Sequence, residues 1–108
     1  MGRIFEKREY QRVVFHKPIQ GFIEPTIPYT NRVKASIWIV DMSAGGLKFI
    51  SKVEFFVSVF EIYQVETRLG NKQLRLFGKI IRKKQIIKGC FEYSVQFDFD
   101  YVKNRGVD

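Results

Sequence analysis

From position 32 onward the chain begins to alternate. Val33, Ala35, Ile37 and Ile39 fall on one side, with Lys34, Ser36 and Trp38 on the other. A period of two, rich in β-branched residues, predicts a strand with one buried face. The strictest alternation comes near the end, where Phe91, Tyr93, Val95, Phe97 and Phe99 oppose Glu92, Ser94, Gln96, Asp98 and Asp100. Leu74, Leu76, Gly78 and Ile80 alternate with Arg75, Phe77 and Lys79, and Gly78 marks a bend or bulge of the kind found at barrel corners. Leu47 and Phe49 flank Lys48 in a short strand. An earlier apolar run opens at Val13 and continues brokenly through Ile19, Phe22 and Ile23, with Pro18, Pro25 and Pro28 among them. Proline offers no ladder donor, so this region is expected to be an edge strand and then an irregular loop to about residue 31. Residues 55–62 are apolar enough for a buried strand, although a helical turn at their start stays open. Leu69-Gly70-Asn71-Lys72 is a turn signal, and residues 83–89 read as a basic hairpin loop.

Six short strands with turn residues between them, and no long segment of period 3.6, argue for an all-β barrel or sandwich. Closing the sheet removes exposed edges. A length of 108 residues suits one domain with one core, and eleven Phe supply its bulk. No apolar run approaches the length of a membrane span, and the first ten residues are too charged for a signal peptide. The chain is therefore expected to be cytoplasmic and not inserted in a membrane.

Charge narrows the partners. The formal net charge is +8, which favours an anionic ligand or surface: nucleic acid, nucleotide, acidic protein or lipid. Catalytic chemistry finds little support. The single His (His16) and single Cys (Cys90) stand in strand contexts with no evident partner, and one cysteine excludes both an internal disulfide and a multi-cysteine zinc site. Neither a phosphate-binding Walker loop, nor a dinucleotide glycine pattern, nor a His-Glu-x-x-His stretch is present. The expectation is a binding protein, not an enzyme, with no metal or cofactor.

Two stretches can bind. Asp41-Met42-Ser43-Ala44-Gly45-Gly46 lies between two apolar runs. Its acid and hydroxyl favour a turn through local hydrogen bonds, and its glycines admit unusual backbone angles or close approach of a ligand. Near the start, Arg8 and Arg12 stand four apart with Lys7 beside the first. Each guanidinium fork can pair bidentately with phosphate or the guanine O6/N7 edge, and can stack on a base.

Taken together, Arg8-x-x-x-Arg12 and then Asp41-x-Ser43-x-x-Gly46 resemble the paired signature of the PilZ domain, a six-stranded antiparallel β-barrel receptor for the bacterial second messenger cyclic di-GMP. The resemblance runs nearly the whole length. Ile39-Val40-Asp41 leads into the turn, Gly46-Leu47-Lys48-Phe49 leaves it, Gly78-Lys79-Ile80-Ile81-Arg82 is similar to the fifth strand, and Tyr93-Ser94-Val95-Gln96-Phe97 to the last. It implies one domain over 1–108: a flexible ligand-binding arm (1–12), a barrel (13–100) and a tail (101–108) with little or no C-terminal helix. It also implies that Arg8 and Arg12 bind guanine edges and phosphates, Asp41 accepts from a guanine N–H edge, Ser43 donates to phosphate or base, and Gly45 and Gly46 keep the surface open. In this family the residue before the first arginine influences how many ligands bind, and the basic Lys7 favours a stacked ligand dimer. Departures are a long, proline-containing stretch between Arg12 and Asp41, and Ser94 where many relatives carry glycine. The expected signal route is contact with an effector protein, and a homodimer is compatible. The rivals are a ligand-free PilZ-like adaptor and an OB-like barrel binding single-stranded nucleic acid through Trp38, Tyr63 and Phe77.

Overall fold

The computed structural model describes residues 11–26, 34–58 and 60–101. Lys7 and Arg8, most of the expected arm, positions 27–33 and the tail beyond residue 101 fall outside the described residues. Six strands form: β1 (Val13–Pro25), β2 (Ala35–Met42), β3 (Gly46–Ser51), β4 (Tyr63–Leu69), β5 (Lys72–Ile87) and β6 (Cys90–Phe97). All neighbouring pairs are antiparallel, and the order β1-β2-β3-β6-β5-β4 closes into a barrel because β4 returns to β1.

Alternation along the strands fills the interior. Ile37 and Ile39 of β2, Leu47 and Phe49 of β3, Val65 of β4, Ile80 of β5 and Tyr93 and Val95 of β6 are all buried. Each large side chain so buried contributes about 1.5–3 kcal/mol, so the pattern that predicts the strands also supplies most of their stability. One barrel end is plugged by aromatic rings. Phe55, from the segment after β3, meets Phe49, Tyr63 and Tyr93 edge-on, with centroids 5.4–6.2 Å away. The Tyr93 hydroxyl accepts from the Phe55 N–H at 2.7 Å and donates to the Val53 carbonyl at 3.1 Å. A buried polar tip is thereby satisfied while it ties the plug to β6.

Several expectations change. β1 is not an edge strand, since it pairs with β2 on one side and β4 on the other. Its prolines sit where a missing donor is tolerated: Pro18 falls in the register break between Val14 and Ile19, and Pro25, opposite Tyr63, is the last residue of the strand. Among the described residues of 52–62 there is no strand, because Phe55 turns inward as a plug while Phe56 and Phe60 remain in solvent. Residues 83–87 belong to β5, so the basic hairpin loop shrinks to a turn at Lys88 and Gly89, with Gly89 at φ +79°. β6 ends at Phe97, and Phe99 is exposed in a single helical turn over 99–101. Tyr63, expected outside, is buried, while Phe77 packs its ring against Tyr101 at 5.0 Å.

Candidate functional site

The turn between β2 and β3 is built from its own side chains. The Ser43 N–H donates to the Gly46 carbonyl at 2.8 Å, and the Ser43 hydroxyl accepts from the Gly45 N–H at 3.2 Å. A serine at this position thus satisfies backbone groups that a tight turn leaves unpaired. The turn is then docked onto the end of β6, where the Phe97 N–H donates to the Gly45 carbonyl at 2.9 Å. Gly46 has a packing reason to be glycine, because a Cβ there would stand 2.2 Å from the Val95 carbonyl oxygen. Neither Gly45 nor Gly46 has positive φ; among the described glycines only Gly70 and Gly89 do. Close approach, not backbone handedness, is what Gly46 provides.

Asp41 reaches its position through a β-bulge. Ile39 pairs with Phe49, both facing the core, yet Asp41 pairs with Lys48. Two residues of β2 are spanned by one of β3, so Val40 is the extra residue. Without it, strict alternation would aim Asp41 inward with Ile39. With it, Asp41 joins the outward-facing side of Lys48, as bulges elsewhere re-aim functional side chains. On its other side Asp41 is opposite Val14. β1 inserts residues between Val14 and Ile19 and so brings its first turn back onto the end of β2. Arg12 lies just before that pairing, and its Nη1 donates to Asp41 Oδ1 in an ion pair. The Asp41 side chain is only 11% exposed, whereas the Arg12 side chain is 41% exposed. One edge of the guanidinium is engaged, and the remainder faces solvent with donors to spare.

The structure therefore joins Arg12, Asp41, Ser43, Gly45 and Gly46 at one edge of the barrel wall, while Lys7 and Arg8 lie outside the described residues. Two grooves flank the turn, each about 310 Å³. Gln11, Val13, Phe15, Met42, Ser43 and Leu69 line the first, and Lys79, Gln96, Phe97 and Asp98 the second. A cross-strand row adds residues that the motif alone does not name. Asp41 is opposite Lys48, Lys48 opposite Ser94, and Ser94 opposite Arg82; one step on, Gly46 is opposite Gln96, itself opposite Lys79. Three cations thus sit on the wall beside the turn. The outward positions of Lys48 in β3 and Lys79 in β5 were readable from alternation, but strict alternation puts Arg82 on the face of Ile80, and only the bulge at Ile81 sets it beside Ser94. Ser94, in place of a glycine, sits in the middle of that row.

Such a wall can hold an anion with a flat, hydrogen-bonding base: cationic forks and ammonium groups for charge, one carboxylate for N–H donors, and a turn that leaves little side-chain bulk. Comparison with known proteins agrees with the fold. A sequence model of the PilZ domain matches residues 6–104. Among solved structures, the chain is similar to the PilZ domain with c-di-GMP of YcgR from Escherichia coli, with a TM-score of 0.58 and 19% sequence identity over 84% of this chain and 77% of that one. At this identity the likeness is one of fold. No curated protein matches by sequence. With the barrel order, the docked turn and the family match in agreement, the chain belongs to the PilZ domain family.

Proposed function

We propose that this protein is a receptor for cyclic di-GMP, bound on the outer barrel wall at the β2–β3 turn. The observation that carries this reading is the meeting of Arg12 and Asp41, the two halves of the paired signature, across 29 positions of chain. Arg8 and Arg12 engage the phosphates and guanine edges with their forks and stack on the bases, with Lys7 adding charge beside them. Asp41 accepts from a guanine N–H edge, Ser43 contributes its hydroxyl, and Gly45 and Gly46 leave room for the ring. Hydrogen bonds to charged partners contribute about 1.5–3 kcal/mol each, so loss of either arginine lowers affinity at least about tenfold. Binding orders residues 1–12 against the wall, and an effector protein reads the surface so formed.

The burial of Tyr63 and the covering of Phe77 by Tyr101 leave Trp38 alone of the three aromatics a nucleic-acid platform would need. The test is competition. A fluorescent cyclic di-GMP is displaced by the unlabelled dinucleotide, with little effect from GMP or a single-stranded oligonucleotide. Displacement by the oligonucleotide at comparable concentration, with steep salt dependence, would overturn the reading in favour of nucleic acid.

A further inference from the structure

At the barrel end plugged by Phe55, two segments project together. β3 finishes at Ser51, directly opposite Phe91, and the segment that follows sets Phe55 against this end before β4 begins. The β5–β6 hairpin extends past the same level, since Gln85 pairs with Phe91 and Ile87 with Cys90 beyond it. Lys83 clamps the two segments. It forms an ion pair with Glu54 and lies over the rings of Phe56 and Phe91, at 5.4 and 4.9 Å from their centroids. The geometry of the hairpin is set by bulges in β5, at Ile81 and Ile86, which carry the strand beyond the barrel rim.

The side chains at these tips face water although they are apolar. Phe56 is 73% and Phe60 88% exposed, and Val57, Ile86 and Ile87 are exposed as well. Scattered apolar residues on a surface are ordinary, but five on two adjacent tips form a patch that calls for a partner. Charge identifies its chemistry. Residues 81–90 carry Arg82, Lys83, Lys84 and Lys88 and no acid, and Lys52 opens the neighbouring segment. Of the nearby carboxylates, Glu54 is paired with Lys83 and Glu61 lies beside the Tyr63 hydroxyl, while Glu92 stands across the ladder from Lys84. Lys52 and Lys88 have no carboxylate partner among the described residues. A second copy of this chain would bring lysines against lysines. An anionic surface with an apolar interior complements both the charge and the protruding shape, which offers tips to insert.

We infer that this end of the barrel docks on an anionic phospholipid surface, with Phe56, Phe60, Ile86 and Ile87 entering the headgroup–acyl boundary and Lys52, Lys84 and Lys88 remaining among the headgroups. Shallow burial of exposed apolar side chains, reinforced by lysines that snorkel to the phosphates, is how peripheral domains hold to membranes without spanning them. No helix among the described residues is long and apolar enough to cross a membrane, and this mode needs none. The site lies at the rim opposite the β2–β3 turn, so it does not depend on the ligand reading.

Co-sedimentation of the full chain with vesicles tests the inference. Binding is expected to phosphatidylcholine–phosphatidylglycerol vesicles and not to phosphatidylcholine alone. The Phe56→Ser/Phe60→Ser and Lys84→Glu/Lys88→Glu pairs are each expected to weaken it by roughly tenfold or more. Because all four side chains are exposed, circular dichroism should report unchanged folding. In a Trp38→Phe background, Phe56→Trp emission should shift to the blue on anionic vesicles. Three results would overturn the inference: no binding to anionic vesicles, binding untouched by the phenylalanine pair, or a wild-type dimer in sedimentation velocity that the phenylalanine pair dissociates.

Discussion

Arg12 and Asp41 form an ion pair that fastens the chain entering β1 to the end of β2. Its two ends differ. The carboxylate is nearly buried although the bulge turns it outward, whereas the guanidinium is substantially solvated. A pair with one exposed member contributes modestly to stability. Asp41→Ala should therefore cost about 1 kcal/mol or less in denaturant unfolding, yet reduce cyclic di-GMP affinity at least about tenfold. Arg12→Lys separates charge from geometry: it retains the cation but loses the fork, and should fall between wild type and Arg12→Ala in affinity. Equal affinity for Arg12→Lys and wild type would mean that only charge matters there.

Gly46 and Gly70 are glycines for different reasons, and alanine tells them apart. At Gly46 the added methyl meets a backbone oxygen of β6 at 2.2 Å, so strand or turn must move, at a cost of about 1–3 kcal/mol. At Gly70 the methyl has open space but the φ of +62° is unfavourable, at about 1 kcal/mol. Urea midpoints measure both. Only Gly46→Ala should also weaken ligand binding, because only it displaces the turn.

Tyr93→Phe removes a hydroxyl that both accepts from Phe55 N–H and donates to Val53 C=O. The ring packing survives, while a buried N–H loses its partner, for a loss of about 1–3 kcal/mol. The plug should loosen with it. Proteolysis within 52–62 at low protease should therefore accelerate more than the global stability loss alone predicts.

Alkaline pH should unfold the barrel through the same end. Burial, with the Glu61 carboxylate nearby, pushes the Tyr63 hydroxyl from its ordinary value near 10 up to about 12. Burial also raises Tyr93. A folded value above the unfolded one means that the folded state holds the proton more tightly. The associated stability is complete below pH 10 and is lost as pH rises toward 12. Urea midpoints should decline across that interval, and Tyr63→Phe should flatten part of the decline.

Much of this was legible in the alternation, and the reasons for the exceptions are physical. β2 and β6 are read correctly as half-buried strands because one face alone touches the core. The turn at Asp41 and its pairing with the arginine segment were legible as a motif. Registers were not, since each bulge depends on the partner strand: nothing local marks Val40 as the residue that turns Asp41 outward, or Ile81 as the one that sets Arg82 beside Ser94. Barrel closure likewise overrode the proline argument for an edge strand, because the break at Pro18 let both sides of β1 pair. Residues 55–62 misled for the opposite reason. Their apolar side chains do not share one environment, with Phe55 in the plug and Phe56 and Phe60 in solvent.

The most direct measurement is a calorimetric titration of cyclic di-GMP into the wild-type protein and into Arg8→Ala. The receptor account predicts sub- to low-micromolar binding in the wild type that collapses in the variant, with a molar ratio that fixes one ligand or a stacked pair. Absence of heat at high micromolar ligand, or an Arg8→Ala isotherm that overlays the wild type, would contradict it.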